Sequence, residues 1–592
     1  MRVITPAIRP ASTRGNLLRT SVSLIAVAAV GVIAAPALAQ DQTGDQAAEV
    51  EEVVVTGIRS SLRSSQAIKR DSDVVVDSIT SEDIGALPDR SVTEALQRVP
   101  GVSIDRFAAG VDPDHFSVEG SGVVVRGLTY VRSELNGRDS FTANNGRGLS
   151  FADVPSELMG GVDVFKSQSA DMVEGGIAGS VNLRTRVPFD SPGRVIAFSA
   201  ESSYGDFAEE WTPTFSGLIS DRWETNAGDF GLLLNYVNSQ LKTRSDGQQI
   251  SNFGERTLYS NGDVVPSAGA TEVGDVWFPR GAAFRSQTFD RVREGYAAAG
   301  QWRSNDRTMI ATAQFLRSDA TQAWTEHAME IATDNVTSNG DSQAQVGTTL
   351  DFGEDGLFTN GIITGVTGWR ADQNGPDPRT PINGLQSNNQ RRDVYQQSVT
   401  TDYGFNFKWT PTDRLSLNFD YQHVDSELDN LDAGLWNSTY QNAAIQIRGS
   451  DVPVVTFLPP FLNGAPCDGP ATAACPGYYR GDNANFSSPY NSFSRAAMDH
   501  KEMSEGQSDA FRIDADYSFD QDWIRSIRFG ARYNKRDQVA RFTTYNWGVL
   551  SEQWGDNGPV WLSDLVDGVP QADGAPGTTG FNPMDYNEIF SF

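Results

Sequence analysis

Two different spacings of apolar residues divide the chain. Toward its end they fall on every second position. Phe511, Ile513, Ala515, Tyr517 and Phe519 alternate with Arg512, Asp514, Asp516 and Ser518. Across a short turn at Asp520–Asp522, Ile527, Phe529, Ala531 and Tyr533 alternate with Arg528, Gly530, Arg532 and Asn534. Tyr403, Phe405, Phe407 and Trp409 repeat the design, and across Thr410–Arg414 they face Leu415, Leu417, Phe419 and Tyr421. A period of two puts the apolar side chains on one face of a strand and the polar ones on the other, so these stretches read as antiparallel hairpins. Connections are unequal: tight ones such as Ser304–Arg307 alternate with long ones such as Ser426–Ser508.

Before residue 189 the spacing is mixed. Val92, Ala95, Leu96 and Val99 recur at i, i+3, i+4 and i+7, which makes one apolar helix face. Ser91 with Glu94 predicts a capping box at its start, and Pro100-Gly101 stops it. A second short helix is expected at Ser81–Ala86. Val74–Ile79, Val102–Ile104, Val123–Val125, Val162–Phe165 and Ser180–Thr185 read as strands, Asn136-Gly137 as a two-residue hairpin turn, and Pro155 as the first turn of a helix. Residues 71–188 therefore predict a small α+β domain and 189–592 an all-β one.

The first 39 residues carry an export signal. Arg2, Arg9, Arg14 and Arg19 precede an apolar core, Leu24–Ala35, and Ala37-Leu38-Ala39 offers a small-x-small cleavage site before Gln40. Residues 40–70 read as a flexible tail. Within it Glu52, Val53, Val54, Val55 and Thr56 form a β-prone run with no adjacent partner strand, suited to strand addition on another protein. Export places Cys467 and Cys475, the only 2 cysteines, in an oxidising compartment. They lie in one Gly/Pro-rich loop and read as a local disulfide, two free thiols being the alternative.

Composition then narrows the class. The hydrophobic fraction of 39% and the lack of long apolar runs after the signal leave a soluble β protein or a membrane β-barrel, whose hydropathy is ordinary because only alternate residues meet lipid. Aromatic residues near strand ends, a charged second face and the unequal connections favour the barrel. A formal net charge of −29 argues against general nucleic-acid binding. The four histidines are scattered, so no zinc spacing and no metal site are expected, and no nucleophile motif or P-loop calls for a catalytic residue or a cofactor.

In order, EEVVVTG, LPDRSVTEALQRVPGVSI, RGL, NGR, PSELMGGVDVFKS and EGGIAGSVNLRT resemble a TonB-dependent outer-membrane receptor from Glu51 to Pro188. The segment Gly57–Asp89 is similar to a Caulobacter/Xanthomonas-type group, some members of which are associated with plant oligosaccharides. The resemblance implies a four-stranded plug inside a 22-stranded barrel of a Gram-negative outer membrane. It makes Glu52–Thr56 a TonB box and TonB, with its inner-membrane energising complex, the partner. Lipopolysaccharide would surround the barrel. Only about a dozen strand segments follow Arg194, so about half of such a barrel is expected and the chain reads as an N-terminal fragment. A ligand would meet the plug loops at Arg106, Asp112, Asp114, Arg138, Asp139, Asn144, Asn145 and Arg147, and the loop aromatics Trp436, Tyr440, Tyr478, Tyr479 and Tyr490. Oligosaccharide is the expected ligand, with a ferric siderophore as the alternative; a secreted carbohydrate-binding β protein is the rival of another class. Arg126, Arg138 and Arg184 with Glu157 and Glu174 are expected to tie plug to barrel through buried ion pairs.

Overall fold

The computed structural model describes residues 64–80, 91–106, 120, 122–144, 148–332, 342–365, 385–458, 461–462, 465–466, 492–521, 523–550 and 562. The signal peptide, Glu52–Thr56, the helix expected at Ser81–Ala86 and the Cys467–Cys475 pair lie outside these residues. Among the described residues no helix is long and apolar enough to cross a membrane.

The N-terminal domain is built on β1 (Val76–Thr80), helix α1 (Val92–Leu96), β2 (Val102–Asp105), β3 (Gly122–Val125), β4 (Val131–Leu135), β5 (Arg138–Asp139), β6 (Met159–Phe165) and β7 (Gly179–Thr185). Its sheet runs β1-β6-β7-β4-β5, with β2 and β3 as a separate ladder. The resemblance implied four strands; the fifth is the two-residue β5, which returns from the Asn136-Gly137 turn. Both turn residues take positive φ, 54° and 76°, as a type I′ hairpin requires. Helix α1 buries Val92, Ala95, Leu96 and Val99, as their spacing predicts. Only half of the capping box forms. Ser91 Oγ accepts from Glu94 N at 3.3 Å, but the Glu94 carboxylate turns away to accept from Gly120 N and the Arg106 guanidinium. The helix expected at Pro155 is a single 3-10 turn, Ser156–Leu158. Residues 64–70, assigned to the tail, are helical, and Lys69 bonds Asp77 of β1 at 2.5 Å.

The second region contains β8 (Val195–Gly205), β9 (Glu210–Thr225), β10 (Gly228–Ile250), β11 (Phe253–Tyr259), β12 (Glu272–Pro279), β13 (Gly281–Arg303), β14 (Met309–Ala332), β15 (Ser342–Ala344), β16 (Asp351–Phe352), β17 (Phe358–Gly365), β18 (Leu385–Thr412), β19 (Leu415–Gln446), β20 (Val454–Leu458), β21 (Phe461–Leu462), β22 (Ala465–Pro466), β23 (Phe493–Ser518), β24 (Ser526–Val539) and β25 (Asn546–Val549). Neighbouring ladders join β8-β9-β10-β13-β14-β18-β19-β23-β24 into one antiparallel wall. Among the described residues no ladder joins β24 to β8, so the wall is a partial barrel. Both hairpins read from the sequence form, with Phe407 opposite Phe419 and Ile513 opposite Ala531.

Alternation sorts the two faces of the wall. Phe198, Phe215, Ile219, Leu234, Phe405, Ile513, Phe529 and Tyr533 point away from the N-terminal domain and stay exposed. Aromatic pairs run along this outer face: Tyr236 beside Tyr296, Phe315 beside Tyr403, and Tyr421 beside Phe511, with centroids 4.7–5.3 Å apart. A continuous apolar band on an exposed face is costly in water and favourable against lipid.

The stretch from Ser426 to Ser508, expected as one long loop, begins and ends as strand. β19 is 32 residues long. At about 3.3 Å per residue that is roughly 105 Å of strand, where about 10 residues cross a bilayer. The wall therefore rises far above its apolar band. There β11, β12, β17, β20 and the upper parts of β13, β14, β18 and β19 enclose a second core of Phe278, Phe358, Ile363, Leu385, Ala443 and Ile445. This cap is a folded structure with its own hydrophobic interior.

Candidate functional site

The N-terminal domain sits against the inner face of the wall, and its main core continues into Val237, Ala297 and Leu316 of the wall strands. Most polar ties run from a wall side chain to a backbone group. Arg293 Nε donates to Ala152 O at 2.6 Å, Ser318 Oγ to Asp153 O at 2.7 Å, and Asn235 Nδ2 to Glu157 O at 3.2 Å. Ala143 N donates to Ser426 Oγ at 2.9 Å, and Gln538 Nε2 to Asn144 O at 2.6 Å.

One tie is a buried ion pair. The Asn136-Gly137 turn places Arg138 at the start of β5, where the Asn136 Oδ1 acceptor for Thr185 N and the Asn182 Oδ1 acceptor for Gly137 N lock the turn against β7. From there Arg138 reaches Asp420 of β19 in a bidentate pair of 2.7 and 2.9 Å, and donates to Gln314 Oε1 at 3.1 Å. It lies over Gly404, whose missing side chain is required: a Cβ there would stand 2.4 Å from Arg138 Nη1. Of the five charges expected to hold the domains together, only Arg138 makes an ion pair with the wall. Arg184 pairs with Asp163 inside its own sheet, and Arg126 donates to Lys166 O. Glu157 and Glu174 meet neighbours through their backbone carbonyls. Alternation identifies Arg138 as charged but carries no information on which distant strand supplies its partner.

Above the domain, inward side chains of the tall strands gather into a buried polar cluster. Glu326 is fully buried and accepts from Arg285 at 3.1 Å, Gln287 at 2.7 Å and Gln390 at 3.0 Å. Arg285 also reaches Glu330 at 3.3 Å. Arg392 and Asp432 form a second buried pair, at 2.8 and 2.6 Å, and the guanidinium lies over the Trp324 ring at 5.3 Å. Trp436 donates to Gln390 and packs at a tilt against Trp547 with centroids 4.4 Å apart. Carboxylates and guanidinium groups are thus paired with each other, leaving aromatic faces and amides between them. These residues escape a reading based on loops because they sit on strand extensions; their even-numbered alternation on β14, β18 and β19 was the available signal.

The residues expected at the ligand surface are dispersed. Arg106 pairs with Glu94 at 3.1 Å. Asp139 takes the Arg132 guanidinium at 2.9 Å. Arg138 is turned into the wall rather than toward a ligand, and Asn144 offers its carbonyl to Gln538. Trp436, expected in a loop, is a buried residue of β19, and Tyr440 falls within the same strand. Asp112, Asp114, Asn145, Arg147, Tyr478, Tyr479 and Tyr490 lie outside the described residues.

Charge inside the N-terminal domain is unevenly tuned. Burial alone would raise Asp77, but the Lys166 and Lys69 ammonium groups outweigh it and hold the carboxyl below its ordinary value. Burial pushes Glu134 up, against the opposing field of Arg132.

Residues 68–180 match the family model of the TonB-dependent Receptor Plug Domain. The N-terminal domain is a plug. It lies against the inward face of an antiparallel β-barrel wall, as the order of its sequence motifs implied. No curated protein matches the chain. Among solved structures it is similar to the ferric citrate transporter FecA (10% identity, 81% of this chain and 98% of that chain, TM-score 0.24). It is also similar to the siderophore receptor PirA from Acinetobacter baumannii (11%, 81% and 77%, 0.25) and to the copper transporter OprC (9%, 80% and 76%, 0.25). Superpositions this loose carry no argument about ligand.

Proposed function

We propose that this chain is an outer-membrane importer in which the plug closes the pore and TonB supplies the work of opening it. The observation that carries this reading is the plug held against the inner face of a wall with an exposed apolar band. Ligand would bind above the plug, and Glu52–Thr56 would add as a strand to TonB in the periplasm, transmitting force from the inner-membrane proton-motive force. Because most plug–wall ties are single hydrogen bonds to backbone, they release one at a time under load. The outer band would sit among lipid and lipopolysaccharide.

For the ligand, we favour an oligosaccharide. Trp324, Trp436 and Phe289 bring aromatic rings and Gln287, Gln390 and Asn388 bring amides to this cluster, a mixture suited to a polyhydroxylated molecule. A ferric siderophore remains the competing ligand of the same fold. The test is uptake and binding in cells carrying the whole receptor. Deletion of Glu52–Thr56 is expected to abolish uptake and spare surface binding, and uptake that survives refutes TonB coupling. Induction by sugars rather than by iron starvation supports the saccharide, and the reverse supports the siderophore. Extraction of the protein by buffer without detergent would favour the soluble carbohydrate-binding alternative.

A further inference from the structure

At the end of the wall bearing the short turns, a cavity of about 710 Å³ lies between the plug segment Ala170–Val173 and strands β19, β23 and β24. That volume falls within the range of small-molecule sites.

The lining is charged yet balanced. Arg512, Arg528 and Arg532 meet Asp171, Asp514 and Asp516. Arg512 pairs with Asp514 at 2.7 Å, and Asn418 donates to the same carboxylate at 3.3 Å. Arg528 is shared by Asp516 at 3.1 Å, Asp73 at 2.8 Å and Asp171 at 3.9 Å. Arg532 differs. It stands directly opposite Arg512 in the β23–β24 ladder, and Arg512 is already engaged by Asp514. Among the described residues Arg532 makes no ion pair or hydrogen bond, and Asp139 and Glu134 of the plug act on it only through their field. A planar fork of donors therefore lines the cavity, with the exposed Ser416 hydroxyl also on its lining.

We propose that this cavity is a second binding site, a transit site for a neutral polyhydroxylated solute at the short-turn end of the wall, with Arg532 as its principal donor. The proposal rests on the import reading in naming the solute. A neutral polyol matches a lining in which three guanidinium groups and three carboxylates cancel. Two adjacent hydroxyl oxygens accept from one guanidinium edge, which gives orientation without requiring charge.

The test uses the whole receptor, purified in detergent, carrying Ser416→Cys as a reporter on the cavity wall, with the unsubstituted receptor as the labelling blank. Maltotriose, xylotriose and inorganic phosphate are each titrated against the rate of maleimide labelling. At a saccharide concentration about ten times its Kd, labelling slows about ten-fold. Arg532→Gln removes that protection. Arg532→Lys, which keeps the charge and loses the planar fork, removes most of it, while resistance of the folded barrel to SDS at room temperature stays unchanged in both. No protection by either saccharide, equal protection by phosphate, or protection that persists in Arg532→Gln overturns the proposal. Labelling is an equilibrium reading that needs no TonB, so its outcome is independent of whether deletion of Glu52–Thr56 stops uptake.

Discussion

Asp420→Asn isolates a buried ion pair between plug and wall. Its partner Arg138 keeps only 7% of its side chain exposed and Asp420 15%, so solvent screens the pair weakly. Removing one partner of a buried pair typically costs about 3–5 kcal/mol because the other charge is stranded. Asparagine retains one acceptor oxygen, and Gln314 still accepts from Nη1, which reduces the expected cost to about 2–3 kcal/mol. That corresponds to roughly a 30- to 150-fold rise in local opening of the plug edge. Amide hydrogen exchange of residues 131–139 in the purified receptor reads this directly, with the cap strands β11 and β12 as an internal control. Arg138→Met combined with Asp420→Leu, which leaves no stranded charge, is expected to restore much of the protection, giving a coupling of about 2 kcal/mol in the double-mutant cycle. Exchange at residues 131–139 that stays within about threefold of wild type, or single-variant costs that simply add, would refute the assignment of Arg138 as the tie.

Other substitutions test the plug and the wall beside it. Gly404→Val forces a side chain onto the Arg138 guanidinium and is expected to cost at least as much as Asp420→Asn by the same exchange measurement, whereas Gly217→Ala, with open space around its position, is expected to change nothing. Ser91→Ala removes the N-cap of α1 and should destabilise the plug by about 1 kcal/mol in urea titrations. Asp77 is held low, so its contribution is present above its ordinary value of 3.8 and is lost as pH falls through its folded value; exchange of β1 should accelerate on that acid limb, and Asp77→Asn should flatten it. Glu134 is held high, so its contribution is present below 4.5 and lost as pH rises through its folded value; Glu134→Gln should leave the plug at pH 7 as stable as wild type or more so, and a clear loss would contradict the burial argument.

Local periodicity made much of this molecule legible. The apolar face of α1, the type I′ turn at Asn136-Gly137 and the hairpin Tyr403–Tyr421 each depend on residues close in sequence, where spacing determines which side chains share a face. The pairing of Arg138 with Asp420 spans 282 positions, and no local pattern specifies it. The region after Ser426 was misjudged for a different reason. Leu431, Leu435 and Trp436 break strict alternation, and Asp and Asn are frequent there, which resembles loop composition. The strand persists because β18 and β23 flank it on both sides and satisfy its backbone. Glu94 shows the same competition on a small scale, since a carboxylate placed to close a capping box instead meets Gly120 N and Arg106.

The tall, parity-sorted wall also constrains how such a chain can vary. Inserting or deleting one residue within β18 or β19 would swap the Arg392–Asp432 pair and the Tyr403–Phe407 band between lumen and lipid along every residue on one side of the change. Changes in pairs, made on both strands of a hairpin, preserve the sorting and lengthen or shorten the mouth in steps of about 7 Å. Relatives of this chain should therefore differ in the height of the cap by even numbers of residues, and the depth at which a ligand is first met becomes an inherited, stepwise property.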